Sequence, residues 1–153
     1  MTRTSATLHA TCVVLGESGL LIRGPSGSGK TTLARDLLQA GPILPVFAAL
    51  VGDDRIVVEA RHGRLVARPH PALAGLIEIR GAGLQIVENT LPSAVLRLVV
   101  DLAETVPRMP EPARESVLLL GVRLPRIILP RDPARASTVL WRWRRPHGMM
   151  MAG

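Results

Sequence analysis

Eight consecutive residues, Gly24-Pro25-Ser26-Gly27-Ser28-Gly29-Lys30-Thr31, match the phosphate-binding pattern G-x-x-x-x-G-K-[ST] of a P-loop. Glycine torsions let successive backbone N–H groups turn toward phosphate oxygens. In such a loop the lysine, here Lys30, reaches the β- and γ-phosphates, and the hydroxyl of Thr31 binds Mg²⁺. The pattern therefore predicts that all eight residues bind the phosphates of a nucleotide; the alternative is a glycine-rich turn that matches by chance.

Both flanks of this loop have the character that a P-loop requires. The apolar residues 20–22 predict a strand leading into it, and residues 32–38 have the spacing of a helix leaving it. Lys30 is the only lysine in the chain, and arginine accounts for all the others among its 19 Lys and Arg residues. A wide, planar guanidinium cannot replace a compact ammonium in a tight phosphate cradle. This distribution indicates that the position is chemically constrained.

Two adjacent carboxylates follow a second apolar segment. Residues 46–51 are typical of a strand buried on both faces, and the segment ends at Gly52-Asp53-Asp54. At a strand end, one carboxylate can face a metal ion while the other faces the phosphoryl acceptor. An apolar pocket or a second negative charge would raise the pKa of one of them toward that of a useful base. The alternative is a turn that carries two solvated acids.

Other charged residues have weaker patterns. Glu78 and Arg80 flank an isoleucine, so both side chains fall on one side of a strand or loop, where they could hold a metal and a phosphoryl oxygen or form a surface ion pair. His9 precedes the strand that leads to the glycine-rich loop and, taken alone, predicts a histidine at the core edge. Arginines in a proline-rich loop and near the last helix are expected to be solvated charges: Arg108, Arg131 and Arg135.

Composition limits the function classes. A chain of 153 residues, 47% of them hydrophobic and 20% charged, predicts one domain with a substantial core. We expect no membrane span, no secretory signal and a cytoplasmic location, with Cys12 as a small buried strand residue. The net charge of +7 comes with one Phe, two Trp and no Tyr, which argues against stacking on nucleic acid bases and favours an acidic partner.

The pattern of apolar segments and turns predicts a single α/β domain over residues 1–153, with a mixed sheet, several hairpins and flanking helices. A helix is expected over residues 31–39, and a C-terminal helix and tail over 133–153, opened by Asp132 and Pro133. Residues 77–87 contain a glycine pair that implies an unusual backbone path. The other predicted strands cover residues 8–15, 20–23, 46–51, 55–60, 65–68, 96–102, 117–121 and 123–129.

Taken in order, these segments resemble the kinase domain of HPr kinase/phosphorylase, over nearly the whole chain. The specific part is Glu-Ile-Arg-Gly-x-Gly at residues 78–83, because the P-loop alone is shared by many families. The resemblance implies a P-loop core like that of phosphoenolpyruvate carboxykinase, transfer of the terminal phosphoryl group of ATP to a serine of the carrier HPr with Mg²⁺, a reverse phosphorolysis, and a homo-hexamer. The other matching segments are His9 and residues 24–31, 50–54, 96–100, 121–125, 130 and 135.

The same resemblance implies a role for each site residue. Asp54 would be the base that accepts the serine proton, Lys30 would stabilise the transferred phosphoryl group, and Mg²⁺ would lie among Thr31, Glu78 and Asp53. His9 matches the catalytic histidine of the family, and Arg108 falls where the family has a catalytic arginine. Further positions of the matching active-site segments are Arg80, Gly81, Gly83 and Arg135.

Departures from the family pattern concern the reverse reaction and regulation. Asp132 and Ala134 stand where arginine and glycine are usual, in the segment that the family uses for dephosphorylation. The N-terminal domain of the family is expected to be missing, as in its short forms. Two other functions remain compatible with the residues: a P-loop kinase of a small metabolite, and a non-catalytic regulatory module that binds nucleotide.

Overall fold

A computed structural model describes residues 4–40, 46–106, 109 and 115–144 of the chain. Eleven strands, two α-helices and one 3₁₀ turn (Pro71–Leu73) make up this part. The helices are α1 (Lys30–Ala40) and α2 (Arg135–Arg144). The strands are β1 (Ser5–Leu8), β2 (Ala10–Leu15), β3 (Ser18–Arg23), β4 (Ala48–Gly52), β5 (Ile56–Arg61), β6 (Arg64–Pro69), β7 (Leu76–Ile79), β8 (Gly83–Ile86), β9 (Ala94–Leu102), β10 (Ser116–Leu119) and β11 (Val122–Leu129).

Nine of the described strands form one mixed sheet. Its main order is β1-β5-β6-β9-β3-β2-β4. In addition, β11 pairs with β9 and with β10. The pairs β3–β9 and β9–β11 are parallel, whereas β2–β3, β2–β4, β5–β6 and β10–β11 are antiparallel. The remaining two strands, β7 and β8, form a separate antiparallel hairpin. The predicted class, a mixed sheet with hairpins and flanking helices, is confirmed.

The three parallel strands bring distant loops together. Because β3, β9 and β11 run in one direction, the loops at residues 24–29 and 130–134 leave the same edge of the sheet. A backbone bond from Ala103 N–H to the Leu129 carbonyl, 3.0 Å long, ties the ends of β9 and β11. In open α/β sheets this carboxyl edge is the usual place for a ligand site.

Apolar side chains pack on both faces of the sheet. Leu20 and Ile22 of β3 point to the face covered by α1 and α2, whereas Leu21 points to the face covered by the β5–β6 hairpin. This two-sided burial explains why the central strands are continuous apolar runs rather than alternating patterns. Cys12 is fully buried on the same face as Leu21, as expected.

The structure corrects several element boundaries. The strand expected over residues 8–15 is interrupted at His9, because β1 pairs with β5 while β2 pairs with β3 and β4. Residues 76–86 form the β7–β8 hairpin, in which Gly81 of the turn and Gly83 at the start of β8 have positive φ, as the glycine pair suggested. The last helix begins at Arg135 rather than Pro133, although Asp132 Oδ1 does accept a bond from Ala134 N–H at 2.6 Å.

Some predictions lie outside the described residues. Arg108, most of the predicted loop at 106–112, and the tail beyond residue 144 belong to this group. Within the described ranges, neither helix has the length and apolarity needed to cross a lipid bilayer.

Candidate active site

The glycine-rich loop connects β3 to α1 directly, as the sequence predicts. Gly27 and Gly29 have φ values of 80° and 101°. A residue with a side chain would adopt these values only with backbone strain. The loop closes on itself through a 3.0 Å bond from Ser28 N–H to the Pro25 carbonyl. Helix α1 begins at Lys30, directly after the loop, and the N-terminus of a helix favours an anion.

Lys30 is held inside the loop. Its side chain is buried, and Nζ donates to the carbonyls of Gly24 at 2.8 Å and Pro25 at 3.1 Å. Burial lowers the pKa of Lys30 below its usual value, while the charges of Asp54 and Asp53 act in the opposite direction. These two bonds use two of the three N–H donors of the ammonium. The Lys30 ammonium is therefore already held at the position where the P-loop pattern predicts a bound phosphate.

Asp53 is buried, with only 5% of its surface exposed, and its carboxylate is surrounded by donors. Oδ1 accepts from Thr11 Oγ1 at 2.7 Å, and Thr31 Oγ1 lies 3.1 Å from both carboxylate oxygens. The backbone N–H of Glu78 adds a longer bond of 3.4 Å to Oδ2. A buried carboxylate needs such partners, because without them its desolvation would be too costly.

Asp54 has quite different surroundings. Its side chain is 55% exposed, and its Oδ1 accepts a 2.8 Å bond from His9 Nε2, which is similarly exposed. Its backbone has a φ of 72°, a conformation that non-glycine residues rarely adopt, and its carbonyl accepts a bond from Ala10 N–H at 3.2 Å. This turn sends the two adjacent carboxylates to different places: Asp53 toward Thr31 and Asp54 toward solvent.

The β7–β8 hairpin contributes mainly backbone to this arrangement. Ile77 anchors the hairpin in the core, and the neighbouring Glu78 reaches Asp53 through its N–H, while the Glu78 side chain is exposed. Arg80 and Gly81 lie in the exposed turn of the hairpin, and Gly83 is the exposed first residue of β8. The structure thus joins Glu78 to Asp53 through its backbone.

Two arginines contact the glycine-rich loop from the far end of the chain. Arg135 donates from Nη1 to the Ser28 carbonyl at 2.7 Å and from Nε to the Pro130 carbonyl at 2.6 Å. Arg131 donates from Nη2 to the Gly27 carbonyl at 3.2 Å. The expectation of a solvated charge is wrong for Arg135, which is partly buried against backbone carbonyls, whereas Arg131 is 57% exposed as expected. The parallel order of β3, β9 and β11 places both residues beside the loop at 24–29.

Sequence reasoning also missed Thr11. Its side chain is fully buried within the otherwise apolar strand β2 and bonds to Asp53. A polar residue in such a strand, two positions after His9, was the available signal. Its partner lies 42 residues further along the chain, and no local pattern connects them.

The donor set suits a magnesium ion. Asp53 and Thr31 offer hard oxygen ligands within 3.1 Å of each other, beside the glycine-rich loop. Among the residues that the structure describes, no three His, Cys, Asp or Glu side chains form a metal cage. Mg²⁺ does not need one, because it commonly takes one or two carboxylates and completes its shell with water and phosphate oxygens.

The fold and the site define an α/β protein built on a strand, a glycine-rich loop and a helix. A family profile described as "HPr Serine kinase C-terminal domain" matches residues 2–141. The chain therefore belongs to the family of the HPr serine kinase C-terminal domain.

Individual relatives agree with this assignment. The chain is 33% identical over 146 residues to an HPr kinase/phosphorylase of Streptococcus thermophilus, covering 88% of this chain and 45% of the relative. It is 35% identical over 109 residues to one from Mycoplasma mycoides, covering 65% and 32%. A solved structure of the Hpr(Ser) kinase/phosphatase from Coxiella burnetii superposes with a TM-score of 0.74 at 25% identity, covering 97% of this chain and 99% of that one. The chain spans less than half the length of these two curated relatives.

Proposed function

We propose that this chain is a serine kinase that transfers the terminal phosphoryl group of ATP to a serine of an HPr-type phosphocarrier protein. The observation that carries the proposal is the division of the two adjacent aspartates. Asp53 is buried against the P-loop Thr31, and Asp54 is exposed beside His9. A kinase acting on a protein needs one acid on the metal side and one open to the incoming hydroxyl.

ATP and Mg²⁺ fit the residues present. The backbone of residues 24–29 and Lys30 would hold the phosphates, and Thr31 and Asp53 would hold the ion, with Glu78 as the further ligand that the family resemblance implies. When bound, Mg²⁺ neutralises charge on the β- and γ-phosphates. Lys30 stabilises the charge that builds on the transferred group, and its burial strengthens that interaction.

Asp54 is the proposed general base. As the serine oxygen bonds to the terminal phosphorus, its proton passes to the Asp54 carboxylate, and the bond to the bridging oxygen of ADP breaks. His9 orients Asp54 through the 2.8 Å bond and keeps one carboxylate oxygen occupied, which leaves the other for the serine. In the reverse direction, protonated Asp54 returns the proton to the serine oxygen while inorganic phosphate takes the phosphoryl group to give pyrophosphate.

The remaining assignments follow from family membership and charge. A net charge of +7 favours docking of an acidic protein partner over a basic one. Arg108 stays a predicted catalytic arginine, and Arg80, Gly81 and Gly83 stay predicted members of the active-site segments. We also propose the cytoplasm as the location and a homo-hexamer as the assembly, as in the family that the sequence resembles.

The test is incubation with ATP, Mg²⁺ and purified HPr, with wild type compared with Asp54→Asn and with an HPr whose acceptor serine is alanine. We expect one phosphate on wild-type HPr by intact-mass measurement, none on the alanine acceptor, and a loss of about 10²–10⁴-fold in rate for Asp54→Asn with nucleotide affinity nearly unchanged. Transfer to a small metabolite instead would favour a metabolite kinase. Nucleotide binding without any transfer would favour a regulatory module.

A further inference from the structure

Two residues that are close in the sequence each bond to one of the two aspartates. His9 lies in the break between β1 and β2, and Thr11 is the second residue of β2. His9 Nε2 bonds to Asp54 Oδ1 at 2.8 Å, and Thr11 Oγ1 bonds to Asp53 Oδ1 at 2.7 Å. Two donors, one in the break before β2 and one within β2, therefore bond to the two successive carboxylates after β4.

The Thr11 bond is the better defined of the contacts to Asp53. Thr11 is fully buried, and its 2.7 Å bond is shorter than the 3.1 Å distances from Thr31 Oγ1 to the carboxylate oxygens. A hydroxyl has a single proton to donate, and here Oδ1 of Asp53 receives it. Because both Thr11 and Asp53 are buried, this bond fixes the rotation of the carboxylate.

We infer that Thr11 is a positioning residue for magnesium binding. By holding Oδ1 in a buried bond, Thr11 fixes the carboxylate of Asp53 beside Thr31 Oγ1 and the Glu78 amide, where the ion belongs in the proposed function. The inference rests on that function, and in it Thr11 acts through its bond to Asp53. Hydrogen-bond partners of metal ligands commonly change metal affinity by about 10–100-fold when they are removed.

The test compares three variants at position 11 by titrating Mg²⁺ against binding of a fluorescent ATP analogue. Thr11→Val keeps the shape and removes the hydroxyl, Thr11→Ala removes it with no steric demand, and Thr11→Ser restores it. We expect Thr11→Val and Thr11→Ala to raise the Mg²⁺ concentration that gives half-maximal binding of the analogue by about tenfold or more. In Thr11→Ser this concentration should be within about threefold of the wild-type value. Binding of the analogue in EDTA should be the same for all four proteins.

The same titration separates the two proposals. Asp53→Asn should shift the Mg²⁺ requirement at least as far as Thr11→Val. If Asp53→Asn shifts it and neither Val nor Ala does, the role of Thr11 is overturned while the kinase site stands. If the hydroxyl-free variants weaken binding equally with and without Mg²⁺, Thr11 acts only on folding, and the inference is again overturned. If wild type shows no Mg²⁺-dependent binding, the proposed function falls and this inference falls with it.

Discussion

The Arg135 guanidinium and the Ser28 carbonyl oxygen form a 2.7 Å hydrogen bond between residues 107 positions apart in the chain. Arg135 is the first residue of α2, and Ser28 lies within the glycine-rich loop between β3 and α1. The same side chain also bonds to the Pro130 carbonyl at 2.6 Å, so it joins the loop after β11 to the loop after β3. Helix α2 therefore supports the glycine-rich loop directly.

This support predicts a loss of nucleotide affinity in Arg135→Gln. We expect the dissociation constant for ATP to rise about tenfold, which is the effect of losing the one charge-assisted hydrogen bond from Arg135 to the glycine-rich loop. The matched control is Arg131→Gln: that side chain is 57% exposed and its 3.2 Å bond to the Gly27 carbonyl is longer, so we expect less than about a threefold change. Calorimetric titration measures both, and equal effects of the two substitutions would contradict the supporting role of Arg135.

Replacing Lys30 tests the buried ammonium. Lys30→Met preserves length and apolar packing but removes the charge, and we expect phosphoryl transfer to fall at least about 10²–10³-fold. Lys30→Arg should be similarly impaired, because a planar guanidinium does not fit where the ammonium now bonds to the Gly24 and Pro25 carbonyls. Initial rates of HPr phosphorylation are the measurement, and full turnover in either variant would remove Lys30 from the mechanism.

The buried thiol of Cys12 should make the free energy of unfolding depend on pH, whatever the function of the protein. Burial raises the pKa of this thiol to about 12 from 9.0. Above pH 9 the unfolded chain loses the thiol proton while the folded chain keeps it, so the free energy of unfolding should fall as pH rises from 9 to 12, by about 1.4 kcal/mol per pH unit. Comparing urea unfolding of wild type and Cys12→Ala isolates this contribution. Identical slopes in the two proteins would show that Cys12 ionises in the folded state.

Gly16 lies close to Trp143 of α2, which leaves little room for a side chain at position 16. It has a φ of 62°, and an added Cβ would lie 2.9 Å from the Trp143 ring, which packs against the core. Gly63, in the turn between β5 and β6, has a φ of 76° with no atoms near such a Cβ. Both alanine substitutions strain the backbone, but Gly16→Ala should cost about 1–3 kcal/mol more than Gly63→Ala in the free energy of unfolding. Equal losses would mean that Trp143 does not pack there.

Local patterns predicted the elements well, because the central strands are buried on both faces and the helix after the glycine-rich loop has clear periodicity. The hairpin at residues 56–69 and the strand–loop–helix around Lys30 follow from such signals alone. Local patterns could not predict which strands pair when they are far apart in the sequence. The break at His9, the Thr11–Asp53 bond and the contact of Arg131 with Gly27 depend on which strands become neighbours.

The aspartate pair shows the same limit in a single turn. The sequence indicated that Asp53 and Asp54 follow a buried strand, and therefore that they could face different partners. Which one is buried depends on the positive φ of Asp54 and on the donors that β2 presents, neither of which is visible in the local pattern. The roles of these residues in catalysis remain predictions for the assays above.

The most direct measurement is a crystal structure with Mg²⁺ and a non-hydrolysable ATP analogue. We predict phosphates enclosed by residues 24–29, Lys30 Nζ moved from the Gly24 and Pro25 carbonyls toward the terminal phosphate, and the ion bound by Thr31 and Asp53, with Asp54 open to an incoming serine. An analogue bound elsewhere, with Lys30 still bonded to those two carbonyls, would contradict the account.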